Sequence, residues 1–318
     1  MNDYGEIFKW RQKQIHQVST NHVQLNTFHD EIIRKSVQVS MDKVQREWGP
    51  PPAPFAFFLM GSAGRFEQSI WSDQDHGLIF HGPPDCKDYF LTLGNEIAYG
   101  LSVTGYVLCE GKVMASNPLW CHSIRDWKLQ LSDWLTEASW ASLRHFLTFF
   151  DSRVLVGDAD FINEVKHFVF RFMENQPKLY IRLIENVEFM KKGVGVFGQL
   201  LPELHGKQTG NIQLKQTAFF PHVNALRLLA LKEKILKPST LSRFHQIKYT
   251  YPEIYNFEPY FNQLLKFRLR FQQNIKSYQQ AHLIPLDELT KLDKKELKLL
   301  MKKGYDLFSK TNKIIKNE

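Results

Sequence analysis

No apolar run in these 318 residues approaches the roughly 20 needed to cross a bilayer, which excludes a membrane-spanning helix. Cysteine is scarce: Cys86, Cys109 and Cys121 are odd in number and fit no metal-ligand spacing. That argues against a disulfide framework and suits free thiols in a reducing cytosol. The opening residues MNDYGEIFKWRQKQ lack the apolar core of a signal peptide. A soluble, cytoplasmic protein is therefore expected. Repeats and low-complexity segments are also missing, so neither a solenoid nor a linker-dominated chain fits.

What is present suits packed domains. Hydrophobic residues make up 43% of the chain and charged ones 23%, ordinary values for a globular protein. The 25 phenylalanines favour thick helix packing over disorder. A net charge of +8, from 41 basic and 33 acidic residues, permits a polyanionic partner, but a solvated basic surface explains it as well. Residues 6–48 contain no proline and carry Ile33, Val37, Met41, Val44 and Trp48 at helical spacing. Arg11 and His16 there form a chance Arg-x4-His pair. The run Gly49-Pro50-Pro51-Pro52-Ala53-Pro54 ends that helix and marks a boundary. A helix is expected over Asp88 to Val103, then a strand pair or bent strand over Tyr106–Cys109 and Lys112–Ala115. From Asn117 onward the pattern is almost wholly helical. Trp120, Trp127, Trp134 and Trp140 form a stripe read as core. Residues 193–220 are glycine-rich and irregular, with His205, Lys207 and Lys215. Further helices are expected near 222–236, 258–281 and 287–316, with Thr240 as an N-cap and a lysine-rich outer face on the last. The domains expected are a helical extension (1–48), an α/β unit (49–125) and an all-helical domain (126–318).

The chemistry concentrates in FAFFLMGSAGRFEQSIWSDQDHGLIF, Phe55 to Phe80. Its pattern reads as strand, tight turn, short helix, strand. Side chains two apart share a strand face, so Asp73 and Asp75 point the same way. Two carboxylates so placed call for a cation between them. Hard oxygen donors suit Mg²⁺, with Mn²⁺ as the alternative. Gly61 and Ser62 offer close backbone approach and N–H groups for phosphate. Arg65 is a candidate phosphate clamp and Glu67 a group to orient it.

Gly-Ser, ten residues, then Asp-x-Asp at a strand resembles the polymerase-β-like nucleotidyltransferase superfamily. GSAGRFEQSIWSDQDHGLIF resembles more narrowly a bacterial nucleotidyltransferase family related to the N-terminal domain of PII uridylyltransferases. The likeness runs on through Gly105-Tyr106, VMASNPLW (Val113–Trp120), FFDSRVLVGD (Phe149–Asp158), NIQLKQT (Asn211–Thr217) and ALRLLAL (Ala225–Leu231). It implies a polymerase-β-like α/β domain followed by a helical substrate-binding domain. It also implies metal-dependent transfer of a nucleoside monophosphate from UTP or ATP, with a protein acceptor. Asp73 and Asp75 would be the catalytic metal ligands; Gly61, Ser62, Arg65 and Glu67 would bind the nucleotide. Gln213 stands where the family commonly has an acidic residue. The third carboxylate usual in the superfamily is not evident: Glu110 sits in a bend and Asp151 ends an apolar helix-like run. Asp151 and Arg153 also read as an ion pair fixing a helix end. Lys112, Asn117 and Lys215 are further substrate-side candidates. Two rival classes remain: a module that binds nucleotide without turnover, and transfer to RNA.

Overall fold

A computed structural model of the chain describes all residues except 2, 175, 274, 276 and 318, and the backbone alone of residue 207. The side chain of Lys207 thus lies outside the described residues. The chain divides into two compact units, Met1–Asn175 and Gln176–Glu318. Composition had suggested boundaries after residues 48 and 125 instead, and the physical reasons for the difference lie in the first unit.

The helical period of residues 6–48 resolves into α1 (Tyr4–Val18) and α2 (His22–Trp48). Asp3 caps the first by accepting from the Glu6 amide, and Asn21 caps the second by accepting from Val23 and Gln24. Strand β1 (Phe55–Leu59) follows, then the four-residue helix α3 (Gly61–Gly64) and strand β2 (His76–Phe80). Helix α4 (Lys87–Val103) leads to a short strand β3 (Cys121–Ser123), then α5 (Ile124–Glu137) and α6 (Trp140–Phe150). Strand β4 (Arg153–Gly157) and helix α7 (Asp160–Glu174) complete the unit. The sheet runs β3-β2-β1-β4, with β1 antiparallel to both β2 and β4 and β2 parallel to β3.

Alternation along β1 decides which layer each phenylalanine meets. Phe55 packs on Phe90 of α4, and Phe57 on His76. Phe58 points the other way, onto Trp127 of α5 and Phe149 of α6. All five residues of β2 are buried, so both faces of this sheet are covered. Because α5 and α6 supply one covering layer and β4 an edge, residues 126–157 cannot be parted from the sheet. The N-terminal helices are equally tied in. Tyr4 Oη reaches Ser40 and the Glu96 carboxylate of α4, and buried Arg11 donates to the Gly105 and Ile70 carbonyls. They belong to the unit, not to an extension.

Trp120, Trp127 and Trp134 are core, as the stripe suggested, but Trp140 is half exposed at the start of α6. Residues 106–109 and 112–115 form no strand pair. They make only an isolated parallel bridge, Val107 to Asp73. Turns at 109–112 and 114–117 interrupt any longer ladder.

The second unit opens with α8 (Pro177–Glu188) and has a two-stranded antiparallel ribbon, β5 (Asn211–Gln213) with β6 (Leu283–Pro285). A π-helical turn, Lys215–Phe219, runs into α9 (Phe220–Lys232), which is buried on nearly every side. Around it lie α10 (Thr240–Gln246), α11 (Pro252–Tyr255), α12 (Glu258–Gln272) and α13 (Lys291–Lys316). Ser239, not Thr240, caps α10, and Thr290 with Asp293 forms a capping box on α13. No helix among the described residues is long and apolar enough to cross a membrane.

Candidate active site

The site is built at the ends of β1 and β2. The Met60 amide donates to the Asp75 carbonyl at 2.8 Å, which continues the β1–β2 ladder by one bond. The Gln74 amide donates to Val107 and the Val107 amide to Ser72, so residues 72–74 are held alongside 107. In this extended stretch, alternation sorts the motif Asp73-Gln74-Asp75-His76. Gln74 and His76 turn inward: Gln74 donates to the Ala98 and Tyr106 carbonyls, and His76 accepts from the Ala115 amide through Nδ1. With Nδ1 an acceptor, Nε2 carries the proton and donates to Gln74 Oε1 at 3.1 Å. Burial lowers the His76 pKa to about 3. Asp73 and Asp75 turn the other way and remain half-buried.

Their carboxylates do not stand alone. One ligand atom each from Asp73, Asp75 and Cys109 lies within 4.8 Å of the others. The Cys109 thiol stands beside the Asp75 carboxylate. Burial, and then the Asp75 charge, pushes this thiol up to about 12. Cysteine spacing gave no hint of this grouping, because the partners are carboxylates more than thirty residues earlier. The only available signal was that Cys109 falls in the segment after a helix that could return to the strand ends.

Gly61 faces Asp75 directly. It has φ +55°, and a Cβ there would fall 2.0 Å from Asp75 Oδ2. Only a residue without Cβ leaves the carboxylate where it stands. Gly64 is similarly confined, since a Cβ would fall 2.1 Å from the Asp151 carbonyl. The helix expected after the turn instead begins at Gly61 itself and ends at Gly64, so Arg65 and Glu67 lie beyond it.

Arg65 is buried, with Nε bonded to Glu67 and Nη1 to Asp151, each at 2.8 Å. The two carboxylates hold its pKa above the usual range against the burial that lowers it. A side chain so engaged acts first as the rivet of the turn, and its reach to a phosphate is not what the geometry displays. Asp151 and Arg153 do not pair with each other. Asp151 sits in the Arg65 triad, while Arg153 forks onto Asp30 of α2 at 2.8 and 2.6 Å and donates to the Ala63 carbonyl. The ion pair expected between them does not form, because β4 carries Arg153 back across the sheet edge beside α3.

The remaining candidates are scattered. Glu110 and Lys112 are exposed in the 109–112 turn, Lys112 with φ +53°. Asn117 caps the turn Pro118–Trp120 and donates to the Lys112 carbonyl. Lys215 belongs to the second unit, where it starts the π-helical turn.

Residues 6–140 match the family model described as "Putative nucleotidyltransferase DUF294", and residues 177–313 match its companion, "Putative nucleotidyltransferase substrate binding domain". The chain belongs to this nucleotidyltransferase family. A comparison with curated proteins finds no match. Family membership brings nucleotidyl transfer as the class of reaction and a nucleoside triphosphate as the class of substrate. The first match spans α1 to the start of α6, consistent with the N-terminal helices packing as part of the site-bearing unit.

Proposed function

We propose that this nucleotidyltransferase moves a nucleoside monophosphate from UTP or ATP to a protein acceptor in the cytoplasm, using a divalent cation. The observation that carries the reading is the convergence of Asp73 and Asp75 beside the Gly61–Gly64 turn. The donor set fits a cation: two carboxylates converge on one point, and Gly61 leaves room for the Asp75 oxygen. Asp73 and Asp75 would hold Mg²⁺ or Mn²⁺, which when bound offsets the negative charge of the triphosphate.

The chain's own groups supply the rest. Gly61 and Ser62 present the first N–H groups of α3, which have no intrahelical acceptor, to the triphosphate. The Arg65–Glu67–Asp151 triad ties that turn to the entry of β4, and Arg153 of β4 links it in turn to α2 through Ala63 and Asp30. Gln74 and His76 fix the backbone from which both aspartates project. In the transfer step an acceptor oxygen bonds to the α-phosphorus and the bond to the bridging oxygen breaks. Pyrophosphate leaves, and the acceptor proton goes to solvent.

Incubating the protein with each labelled triphosphate, Mg²⁺ or Mn²⁺ and a lysate tests this directly. Label is expected on one or a few proteins, and Asp73→Asn with Asp75→Asn should abolish it without unfolding the chain. Undiminished labelling by that double variant would remove the assignment. A second reading, nucleotide binding without turnover, gains support from the thiol of Cys109 standing beside the two aspartates. Triphosphate binding by calorimetry with no labelled product would favour it.

A further inference from the structure

The group that completes the aspartate pair is sulfur, and this bears on which ion the site prefers. We propose that Cys109 is the third protein donor of the ion site and tilts it toward Mn²⁺, Co²⁺ or Zn²⁺ over Mg²⁺. The inference rests on the reading of Asp73 and Asp75 as ion ligands and goes beyond it in donor and ion class.

Several features place the sulfur there. The Asp73–Val107 bridge lays the chain alongside the aspartates two residues before Cys109. A tight turn then reverses it, with the Lys112 amide on the Cys109 carbonyl at 2.9 Å and Lys112 in the left-handed region. That conformation is costly for a residue with a Cβ and holds only where surrounding structure fixes it. The sulfur and one carboxylate oxygen each of Asp73 and Asp75 lie within 4.8 Å of one another. Glu110, the adjacent carboxylate, is exposed and not among the converging groups. The position that a third oxygen donor could take is thus occupied by a held sulfur. Mg²⁺ prefers hard oxygen donors, whereas ions later in the first transition row accept thiolate readily. On binding, the thiol proton passes to solvent and a metal–sulfur bond replaces the S–H bond, with no oxidant required.

Cobalt absorption spectroscopy on the full chain tests this. Co²⁺ titrated into the wild-type protein should give visible d–d bands together with a sulfur-to-cobalt charge-transfer band in the near ultraviolet. Cys109→Ser should keep the visible bands and lose the near-ultraviolet one. Its Co²⁺ and Zn²⁺ binding should weaken about tenfold or more, while Mg²⁺ binding changes less than about twofold. Cys109→Asp should also lose the near-ultraviolet band and shift the preference back toward Mg²⁺, and circular dichroism checks that each variant folds. Visible bands without the charge-transfer band in the wild type would overturn the proposal and leave the aspartate site standing. Survival of the charge-transfer band in Asp73→Asn with Asp75→Asn would place the sulfur in another site and overturn it too. Failure of wild-type protein to bind Co²⁺, Mn²⁺ or Mg²⁺ at all would remove the aspartate ion site itself.

Discussion

The two units carry opposite charge. Residues 1–175 hold 16 Lys and Arg against 21 Asp and Glu, a net of −5, while residues 176–318 hold 25 against 12, a net of +13. The +8 of the whole chain therefore describes neither part. The units also use charge differently. In the first, Arg11, Arg65 and Lys166 are buried and bonded to named carbonyls or carboxylates, and the Arg153–Asp30 fork is half-buried. In the second, Arg243 and Arg268 are buried, but α13 alone contributes nine lysines, most of them on the surface. Charge inside the first unit is scaffolding for a site; charge on α13 is a field directed at solvent.

If that contrast holds, the largest effect should come from the Arg65 triad. Arg65→Met leaves Glu67 and Asp151 buried without their cation. Breaking a buried pair from one side costs about 3–5 kcal/mol, measured as a lowered urea midpoint. The triple change Arg65→Met, Glu67→Gln, Asp151→Asn should recover much of that loss, because no uncompensated charge remains. A loss below about 1 kcal/mol in the single variant would mean that the triad is not scaffolding and would erase the contrast.

Acid should separate the units next. His29 is wholly buried, accepting from Tyr106 Oη at 2.8 Å and donating to the Ser69 carbonyl at 2.9 Å. Burial, then the nearby Arg11 charge, lowers its pKa to about 3, and burial with the Lys87 charge lowers that of His122 to about 4. In the second unit His282 is lowered to about 3 by burial and by Lys215 and Arg268. Each folded-state pKa lies below the unfolded value near 6.5, so the unfolded chain takes up protons first. Stability is complete above about pH 6.5 and falls as pH drops toward 3, by about 1.4 kcal/mol per pH unit for each such histidine. The first unit has more of them, so hydrogen exchange should report its opening at higher pH than that of the second. His29→Gln should flatten its acid limb.

A smaller stability effect with a sharp local readout is expected at Gly61. Gly61→Ala adds strain of about 1–2 kcal/mol at a positive φ and pushes the Asp75 carboxylate aside. Ion binding should be lost although thermal unfolding shifts by only a few degrees. Retained ion affinity would show that Asp75 can relocate and that the close approach is not needed.

Much of the first unit was legible because its signals are local. The apolar run ending at Gly61-Ser62, the ten-residue interval and the Asp-x-Asp alternation are written within 26 residues, Phe55 to Phe80. The i, i+2 rule also sorts Gln74 and His76 inward, a consequence available from the same alternation. Strand β4 was hidden because Arg153–Gly157 is short and follows a helix without a strong break. Non-local pairings were hidden for a deeper reason. Arg65 with Asp151, Arg153 with Asp30 and Cys109 with Asp75 join residues 86, 123 and 34 positions apart, and no periodicity encodes them. The second unit was legible as helices, while its ribbon and π-helical turn lay within the irregular 193–220 segment and near 283–285.

The smallest effect belongs to α13, and it is the one that tests the surface half of the contrast. Lys295, Lys302, Lys310 and Lys313 are exposed and have no ion-pair partner among the described residues. Buried apolar residues, Leu297, Leu300, Met301, Leu307 and Phe308, anchor the opposite side of the helix. Replacing each of the four lysines singly by glutamine should change stability by no more than about 0.5 kcal/mol. Removing all four should relieve repulsion along one helix side, so the combined variant should be no less stable than the sum of the singles, with the gain largest at low salt. A combined loss of several kcal/mol, insensitive to salt, would mean that these lysines are bound within the fold after all. The positive charge of the second unit would then be internal, as in the first, and the two units would differ in sign alone.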